Sequence, residues 1–223
     1  MRGKLFISAL SKYLAGLLLC LLLIFAPAGT LHYPQGWLLL AVLFVPMLIL
    51  GAVLLVKAPQ LLEKRLRAKE ERGAQRQAVG KSALMFVGGF GLAALNFRLG
   101  WPLLPFGVSL AASAVFLLGY LLYAEVLREN AWLSRSVEVQ EGQQLVDSGL
   151  YGIVRHPMYS ATLLLFLSLP LILGSLPAFA LFLFYLPIIA GRIRDEEALL
   201  TAELPGYAEY RQRVRYKLIP YIW

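Results

Sequence analysis

Arg155 and His156 stand directly before Pro157 and a long apolar segment. Proline fits the first turn of a helix, where its missing N–H is no loss, so both side chains are predicted to lie at a helix start. The free N–H groups and the helix dipole at such an end favour an anion. Because charge near hydrocarbon costs free energy, this pair is a candidate for binding or catalysis.

A second polar cluster, beginning at Arg192, follows the next apolar segment. The two segments are therefore predicted to form a hairpin with ionisable residues at both open ends. Arg192 and Glu196 are spaced i,i+4, and Arg194 and Glu197 are spaced i,i+3, which predicts two ion pairs on neighbouring helix faces. Carboxylates held in this way can bind hydroxyl groups or an ammonium group.

Three tyrosines near these clusters, Tyr159, Tyr207 and Tyr210, offer aromatic faces to a cation or an adenine. A ligand with a carboxylate, an amine, a ribose and a positive centre suits this hairpin, and S-adenosylmethionine has this set of groups. Each feature also has a structural explanation. Arg155 can be an interfacial anchor, His156 a capping residue, the glutamates a solvated face and the tyrosines an interfacial belt. Their joint occurrence favours a site.

The composition is that of an integral membrane protein, with 59% hydrophobic residues, 15% charged residues and a mean hydropathy of +0.69. We expect one membrane domain over residues 1–223. The net charge of +8 comes from basic residues between apolar segments, where the positive-inside rule explains them, so no nucleic-acid partner is expected. Cys20 is the single cysteine, and neither a disulfide nor a metal site is expected.

The apolar pattern predicts an all-α polytopic bundle of six spanning or re-entrant helices. The third and fifth segments are short for a hydrocarbon core of roughly 30 Å, so five full spans is the alternative. We expect residues 1–126 to supply transmembrane helices of unassigned role and residues 127–223 to be the cofactor-binding half. The apolar segments cover residues 13–27, 36–56, 84–99, 108–126, 160–173 and 176–193.

Basic residues predict the orientation of the chain. They precede the first segment and fill residues 57–81, which indicates a bacterial inner-membrane protein with both termini in the cytoplasm. The rival interpretation of the first segment is a signal peptide cleaved near Ala26-Pro27-Ala28. Residues 57–81 are interpreted as a solvated helix or an anionic-lipid contact rather than a ligand site.

Beyond Val126 the sequence becomes mixed. Alternating residues around Glu141-Gly142 predict a short hairpin. A charged helix is expected to end near Ala202, with a break at Leu204-Pro205-Gly206 and an amphipathic lid after it. The apolar positions of this lid are Tyr207, Tyr210 and Val214.

The chain from about residue 130 to residue 223 resembles the isoprenylcysteine carboxyl methyltransferase-like integral membrane methyltransferases, which include phospholipid N-methyltransferases. The resemblance implies S-adenosylmethionine as cofactor, bound by His156, Tyr159, Glu196 and Glu197 under a C-terminal lid. Two departures are Leu150, where the family usually has proline, and Ser160-Ala161, where it has a glycine. The motifs are Gly149-Leu150-Tyr151 before Arg155-His156-Pro157-Met158-Tyr159, Arg194-Asp195-Glu196-Glu197, and Leu204-Pro205-Gly206-Tyr207 through Tyr210 to Ile219-Pro220.

We therefore expect methyl transfer from S-adenosylmethionine to a lipophilic acceptor, whether carboxylate, amine or lipid head group, at the cytoplasmic membrane face. Arg155 is expected to orient an acidic acceptor group or the cofactor carboxylate, and Arg194 is the competitor for this role. The acceptor is expected from the bilayer and the cofactor from the cytoplasm.

Two alternatives stay open at this stage. One is a membrane reductase of the sterol or isoprenoid type with a nicotinamide cofactor. The other is a non-enzymatic scaffold or transporter, against which stand the lack of an internal repeat and the scarcity of polar residues within the spans apart from Asn96 and scattered serines.

Overall fold

The computed structural model describes residues 2–66, 73–133 and 138–223, and within these ranges the protein is helical without strands. The predicted all-α membrane bundle is confirmed. The helices are α1 Arg2–Ala28, α2 Pro34–Lys57, α3 Pro59–Leu66, α4 Gly73–Arg98, α5 Phe106–Glu129, α6 Pro157–Ile172, α7 Leu176–Phe182, α8 Tyr185–Glu203 and α9 Tyr207–Arg213, with a short 3-10 turn at Gly149–Gly152.

Five helical segments of the described chain are long and apolar enough to cross a bilayer: α1, α2, α4, α5 and the combined α7–α8. The third predicted segment proves to be a full span, because α4 begins well before residue 84. The fifth stays short, since α6 has 16 residues and therefore extends about 24 Å. The alternative of five full spans thus describes the molecule better than six.

The turn between α6 and α7 is fixed by buried hydrogen bonds. The Tyr33 hydroxyl donates to the Leu173 carbonyl at 2.6 Å, and the Ser175 hydroxyl donates to Asn96 Oδ1 at 2.8 Å. Asn96 Nδ2 in turn donates to the Trp101 carbonyl at 3.1 Å. Polar groups in hydrocarbon must be paired within the protein, and here the first two bonds tie the turn to Tyr33 at the start of α2 and to Asn96 of α4. The far end of the α6–α8 hairpin is therefore anchored.

The predicted helix start and break are both found. Helix α6 begins at Pro157, and α8 ends at Glu203. The chain reverses at Gly206, whose φ of 82° lies in the left-handed region that favours glycine. The lid residues after this break form a small apolar core of their own, separate from the main core. Its members are Leu204, Tyr207, Tyr210 and Val214, with Val139, Leu145 and Leu200 packed against them.

The predicted hairpin around Glu141-Gly142 is wrong as a pair of strands. The Gln143 N–H donates to the Gln140 carbonyl at 3.0 Å, and Gly142 has a φ of 71°, which makes a tight turn. The residues described on either side of this turn form no strand, and residues 134–137 lie outside the described residues.

The basic segment of residues 57–81 is more than a solvated helix. Leu61 and Leu62 of α3 are buried. Lys64 Nζ donates to Gln140 Oε1 at 2.6 Å, and Arg65 Nη2 donates to the Tyr123 hydroxyl at 2.5 Å. Helix α3 is therefore bonded to α5 and to the polar loop that follows it, while residues 67–72 lie outside the described residues.

Packing between α4 and α7 gives a direct test of the fold. A Cβ added at Gly89 would overlap the buried ring of Phe182, whereas a Cβ added at Gly91 would meet no atom within 4 Å. We expect Gly89→Ala to lower the free energy of unfolding by about 1–3 kcal/mol, because overpacking forces the ring to move. Gly91→Ala is the matched control and should leave the thermal midpoint unchanged or slightly raised. Equal midpoints for the two purified variants would contradict the described packing.

Candidate functional site

A cavity of about 470 Å³ lies between α4, α6, α8 and α9 under the polar loop. This volume falls in the range of roughly 300–1,000 Å³ that is usual for small-molecule sites. One end is lined by polar side chains near the start of α6 and the end of α8. Along the membrane-spanning parts of α4, α6 and α8 the lining becomes apolar, with Phe86, Phe166, Ile188 and Ile189. The cavity thus has a polar part, lined by His156, Tyr159, Glu196 and Tyr207 among others, and an apolar part. We call them the polar and the apolar chamber.

A buried ion pair joins Arg155, which lines the cavity, to Glu197, which does not. Arg155 Nε donates to Glu197 Oε1 at 2.7 Å, and both side chains are only 6% exposed. A His156 ring nitrogen lies 3.2 Å from the same oxygen, and Lys217 Nζ lies 3.4 Å from Glu197 Oε2. A buried charge pair is tolerated when further hydrogen bonds satisfy both groups, and this condition is met.

The C-terminal tail closes this arrangement. Arg155 Nη1 donates to the carbonyls of Val214 and Arg215 at 2.7 and 2.8 Å. The backbone N–H groups of Arg155 and His156 donate to the carbonyls of Tyr216 and Lys217, each at 2.9 Å. These two N–H groups precede the first turn of α6 and are used within the chain, so the anion site at this helix start stays a prediction that concerns the N–H groups of the first turn itself.

Glu196, in contrast to its neighbour, lines the cavity. The Tyr159 hydroxyl donates to Glu196 Oε2 at 2.5 Å and accepts from Arg192 Nε at 3.0 Å. His156 Nδ1 lies 3.9 Å from Glu196 Oε1. With 24% of its side chain exposed, Glu196 keeps acceptor capacity for a ligand.

Tyr207 carries a polar atom that the chain itself does not use. Its ring is buried and lines the cavity, and its hydroxyl is a buried side-chain polar atom without a hydrogen-bond partner among the described residues. Burial, together with the negative charges of Glu197 and Glu196, raises the pKa of Tyr207, so the hydroxyl stays protonated. The Tyr210 hydroxyl, by comparison, donates to the Tyr151 carbonyl at 2.7 Å. An unpaired buried hydroxyl costs about 1–3 kcal/mol, which a bound acceptor would recover.

The turn before Arg155 depends on the end of α5. Gly149 has a φ of 58°, and a Cβ there would collide with the Glu129 carboxylate. That carboxylate accepts from the Leu150 N–H at 2.9 Å, and Asn130 Nδ2 donates to the Tyr151 hydroxyl at 3.0 Å. Proline at position 150 would lack this N–H, so the departure from the family pattern has a structural reason.

Most of the predicted site residues are brought together. Arg155, His156, Tyr159, Glu196, Tyr207 and Tyr210 all line the cavity.

Two of the predicted residues lie elsewhere. Glu197 is absent from the described lining and holds Arg155 instead. Arg194 is exposed, and the predicted Arg194–Glu197 ion pair is wrong, because Glu197 pairs with Arg155, His156 and Lys217. The buried stripe of α8 runs through residues 185, 189, 193 and 197, and Arg194 lies about 100° away from Ile193 around the helix.

The sequence did not predict the part of the cavity lining that α4 and the polar loop contribute. Ala78, Val79 and Ser82 of α4, together with Arg65, line the cavity. Arg65, Ala78 and Val79 fall within residues 57–81, so the interpretation of this segment as a solvated helix or an anionic-lipid contact rather than a ligand site does not account for its part in the cavity lining. The only signal in the sequence was the small polar residues at the start of an apolar segment, which is weak.

Comparison with known proteins gives one family match that contains part of this site. Residues 104–205 match the family model described as phospholipid methyltransferase. The predicted family resemblance is confirmed for this segment. The chain is also 35% identical over 91 residues to the Delta(14)-sterol reductase TM7SF2 of Mus musculus, and 29% identical over 93 residues to a Delta(14)-sterol reductase of Methylotuvimicrobium alcaliphilum. Each match covers 40% of this chain and 22% of the relative.

Glu197→Gln should destabilise the protein, because Arg155 would keep a buried charge without a counter-charge. We expect a loss of about 3 kcal/mol in the free energy of unfolding. Glu209→Gln on the exposed side of α9 is the matched control and should change stability by less than about 0.5 kcal/mol. Thermal unfolding of the detergent-solubilised variants measures both. Equal midpoints for the two variants would show that the buried pair does not hold the site.

Proposed function

We propose that this membrane protein transfers a methyl group from S-adenosylmethionine to a lipophilic acceptor. The observation that carries the proposal is the two-chambered cavity, in which Glu196 and Tyr207 line the polar chamber and α4, α6 and α8 form an apolar one. The match to the phospholipid methyltransferase family supports the reaction class. We place the polar chamber at the cytoplasmic face of an inner membrane, because basic residues flank it.

The residues of the polar chamber fit the cofactor. Glu196 offers a carboxylate to the amino group or the ribose hydroxyls, and the unpartnered Tyr207 hydroxyl offers a donor to a carboxylate or a ring nitrogen. Tyr159 and Tyr210 present aromatic surfaces suited to adenine and to a positive centre. When bound, the cofactor supplies a methyl group activated by a sulfonium charge.

The work left to the protein is positioning and exclusion of water. Helix α9 and the tail are hydrogen-bonded over the polar chamber. This cover holds the acceptor atom in line with the bond between sulfur and the methyl group, and it excludes water during the transfer. Arg155 Nε and Nη1 are used within the chain, so Nη2 is the part of its guanidinium left for an acidic ligand group. A carboxylate acceptor needs no general base, whereas an amine acceptor needs Glu196 or His156 to take a proton.

A reductase is the second candidate, because both sterol reductase relatives share part of this chain. A nicotinamide dinucleotide phosphate would bring a pyrophosphate and a third phosphate into the cavity. The described lining holds Arg65, Arg155 and Arg192 beside Glu138 and Glu196, and the charge of Arg155 is balanced by Glu197. The charge of the lining therefore does not separate the two cofactors, and it is the family match that favours the methyltransferase.

Tyr207→Phe separates ligand binding from stability. The wild type should bind S-adenosylhomocysteine in the micromolar range, at roughly −7 to −8 kcal/mol. Tyr207→Phe should weaken this binding about tenfold and raise the thermal midpoint of the free protein, because it removes a buried unpaired hydroxyl. Glu196→Gln should also weaken binding about tenfold, through the loss of charge-assisted hydrogen bonds.

Tyr221→Phe and Glu209→Gln, both at exposed positions, are the controls for these calorimetric titrations. Neither should alter affinity. The proposed cofactor site is wrong if all four variants bind S-adenosylhomocysteine as the wild type does, or if the wild type does not bind it in detergent and in nanodiscs.

A further inference from the structure

A second, smaller cavity of about 200 Å³ opens between α4 and α8. We call it the α4–α8 gap. Its polar lining consists of Gln77 and Lys81 on α4 and of Arg192 and Asp195 on α8. None of these α4 residues falls in the segment that matches the methyltransferase family. The gap is therefore a feature of this chain that the family resemblance does not assign.

The gap adjoins the main cavity. Ala78, Ile188 and Arg192 line both spaces, so the two share one wall. Ala78 and Lys81 are three residues apart on α4 and thus lie on the same helix face. A molecule seated in the gap would touch Lys81 at one end and reach Arg192, whose Nε donates to the Tyr159 hydroxyl, at the other.

Lys81 provides a positive charge that the chain does not pair. Its side chain is exposed, and no hydrogen bond or ion pair joins it to the described part of the protein. Lys81 lies within the membrane-spanning part of α4, which begins at Arg76. The ordinary explanation for such a lysine is an interfacial anchor that extends toward lipid head groups. Its place on a gap that adjoins the candidate site favours a more specific role.

The surroundings of the gap suit an amphiphile. With Lys81 and Arg192 opposed by Asp195, the formal charge of its lining is positive. Leu84, three residues farther along α4, is 75% exposed, and Leu186 on α8 is 44% exposed. A polar mouth above apolar surface on the same two helices matches a molecule with an anionic head and a hydrocarbon chain.

Gly191 is the glycine in the lining of the α4–α8 gap. A Cβ added there would meet no atom within 4 Å, although the residue lies on α8 beside the shared wall. A Cβ at this lining position would therefore displace no described atom, and the further atoms of a longer side chain would take up space beside the gap.

We propose that the α4–α8 gap binds the anionic head group of an amphiphile, with Lys81 as its cationic partner, and that the methyl acceptor reaches the cavity through it. This inference rests on the proposed methyltransferase function and narrows it, because it gives the acceptor a phosphate or carboxylate group. Lys81 is then a substrate-binding residue at the end of the segment whose sequence indicates a solvated helix or an anionic-lipid contact.

The test is competition for a fluorescent phosphatidic acid bound to the full-length protein in mixed detergent micelles. Dioleoyl phosphatidic acid should compete at least about tenfold better than dioleoylglycerol, which has the same chains without the phosphate. Oleate is the third competitor and distinguishes a carboxylate from a phosphate: whichever anion competes better than dioleoylglycerol identifies the head group. If neither does, the proposal is wrong.

Five variants locate the binding. Lys81→Gln and Gly191→Leu should each weaken phosphatidic acid binding about tenfold, whereas Lys81→Arg should retain it. Lys57→Gln, at an exposed lysine of α2, and Gly51→Leu, at a helical glycine with open space around it, are the matched controls and should bind as the wild type does. Binding by Lys81→Gln equal to that of Lys57→Gln, or by Gly191→Leu equal to that of Gly51→Leu, overturns the proposal.

S-adenosylhomocysteine affinity, measured on the same preparations, keeps the two proposals apart. It should be unchanged in all these variants, because neither Lys81 nor Gly191 lines the polar chamber. A wild type that shows the lipid selectivity but does not bind S-adenosylhomocysteine would overturn the methyltransferase function and support the anionic site alone.

Discussion

The buried ion pair between Arg155 and Glu197 is the interaction on which the rest of the site depends. It joins the start of α6 to the end of α8, and the same guanidinium holds two carbonyls of the tail. Two charges this deeply buried are tolerated only because the tail, His156 and Lys217 complete their bonding. The lid and the polar chamber beneath it are therefore joined by one set of buried bonds.

The cavity that this ion pair supports has a polar and an apolar chamber. The ion pair, the turn at Gly149 and the lid build a polar chamber, while the membrane helices build the apolar chamber below it. The match to the methyltransferase family covers residues 104–205, which include the ion pair and the turn at Gly149 but not the lid, and each sterol reductase match covers 40% of this chain. In the function that we propose, the few side chains that face the ligand, Glu196 and Tyr207 among them, set the reaction type.

The sequence predicted what local rules determine. Pro157 marked the start of α6, and Leu204-Pro205-Gly206 marked the end of α8. It could not distinguish Glu196 from Glu197, because consecutive helical residues differ by about 100° and only packing decides which one faces the cavity. The wall supplied by α4 was missed for another reason: its residues are about 70 positions or more before the motifs and carry no pattern that links them.

Transfer of label from methyl-labelled S-adenosylmethionine to lipid tests the account most directly. Membranes that contain the protein, incubated with the labelled cofactor and extracted, should yield a labelled lipid that membranes without the protein do not. The same extract from Glu196→Gln membranes should carry much less label. No labelled lipid, together with reduction of a sterol or isoprenoid double bond that depends on a nicotinamide cofactor, would contradict the account and establish the reductase instead.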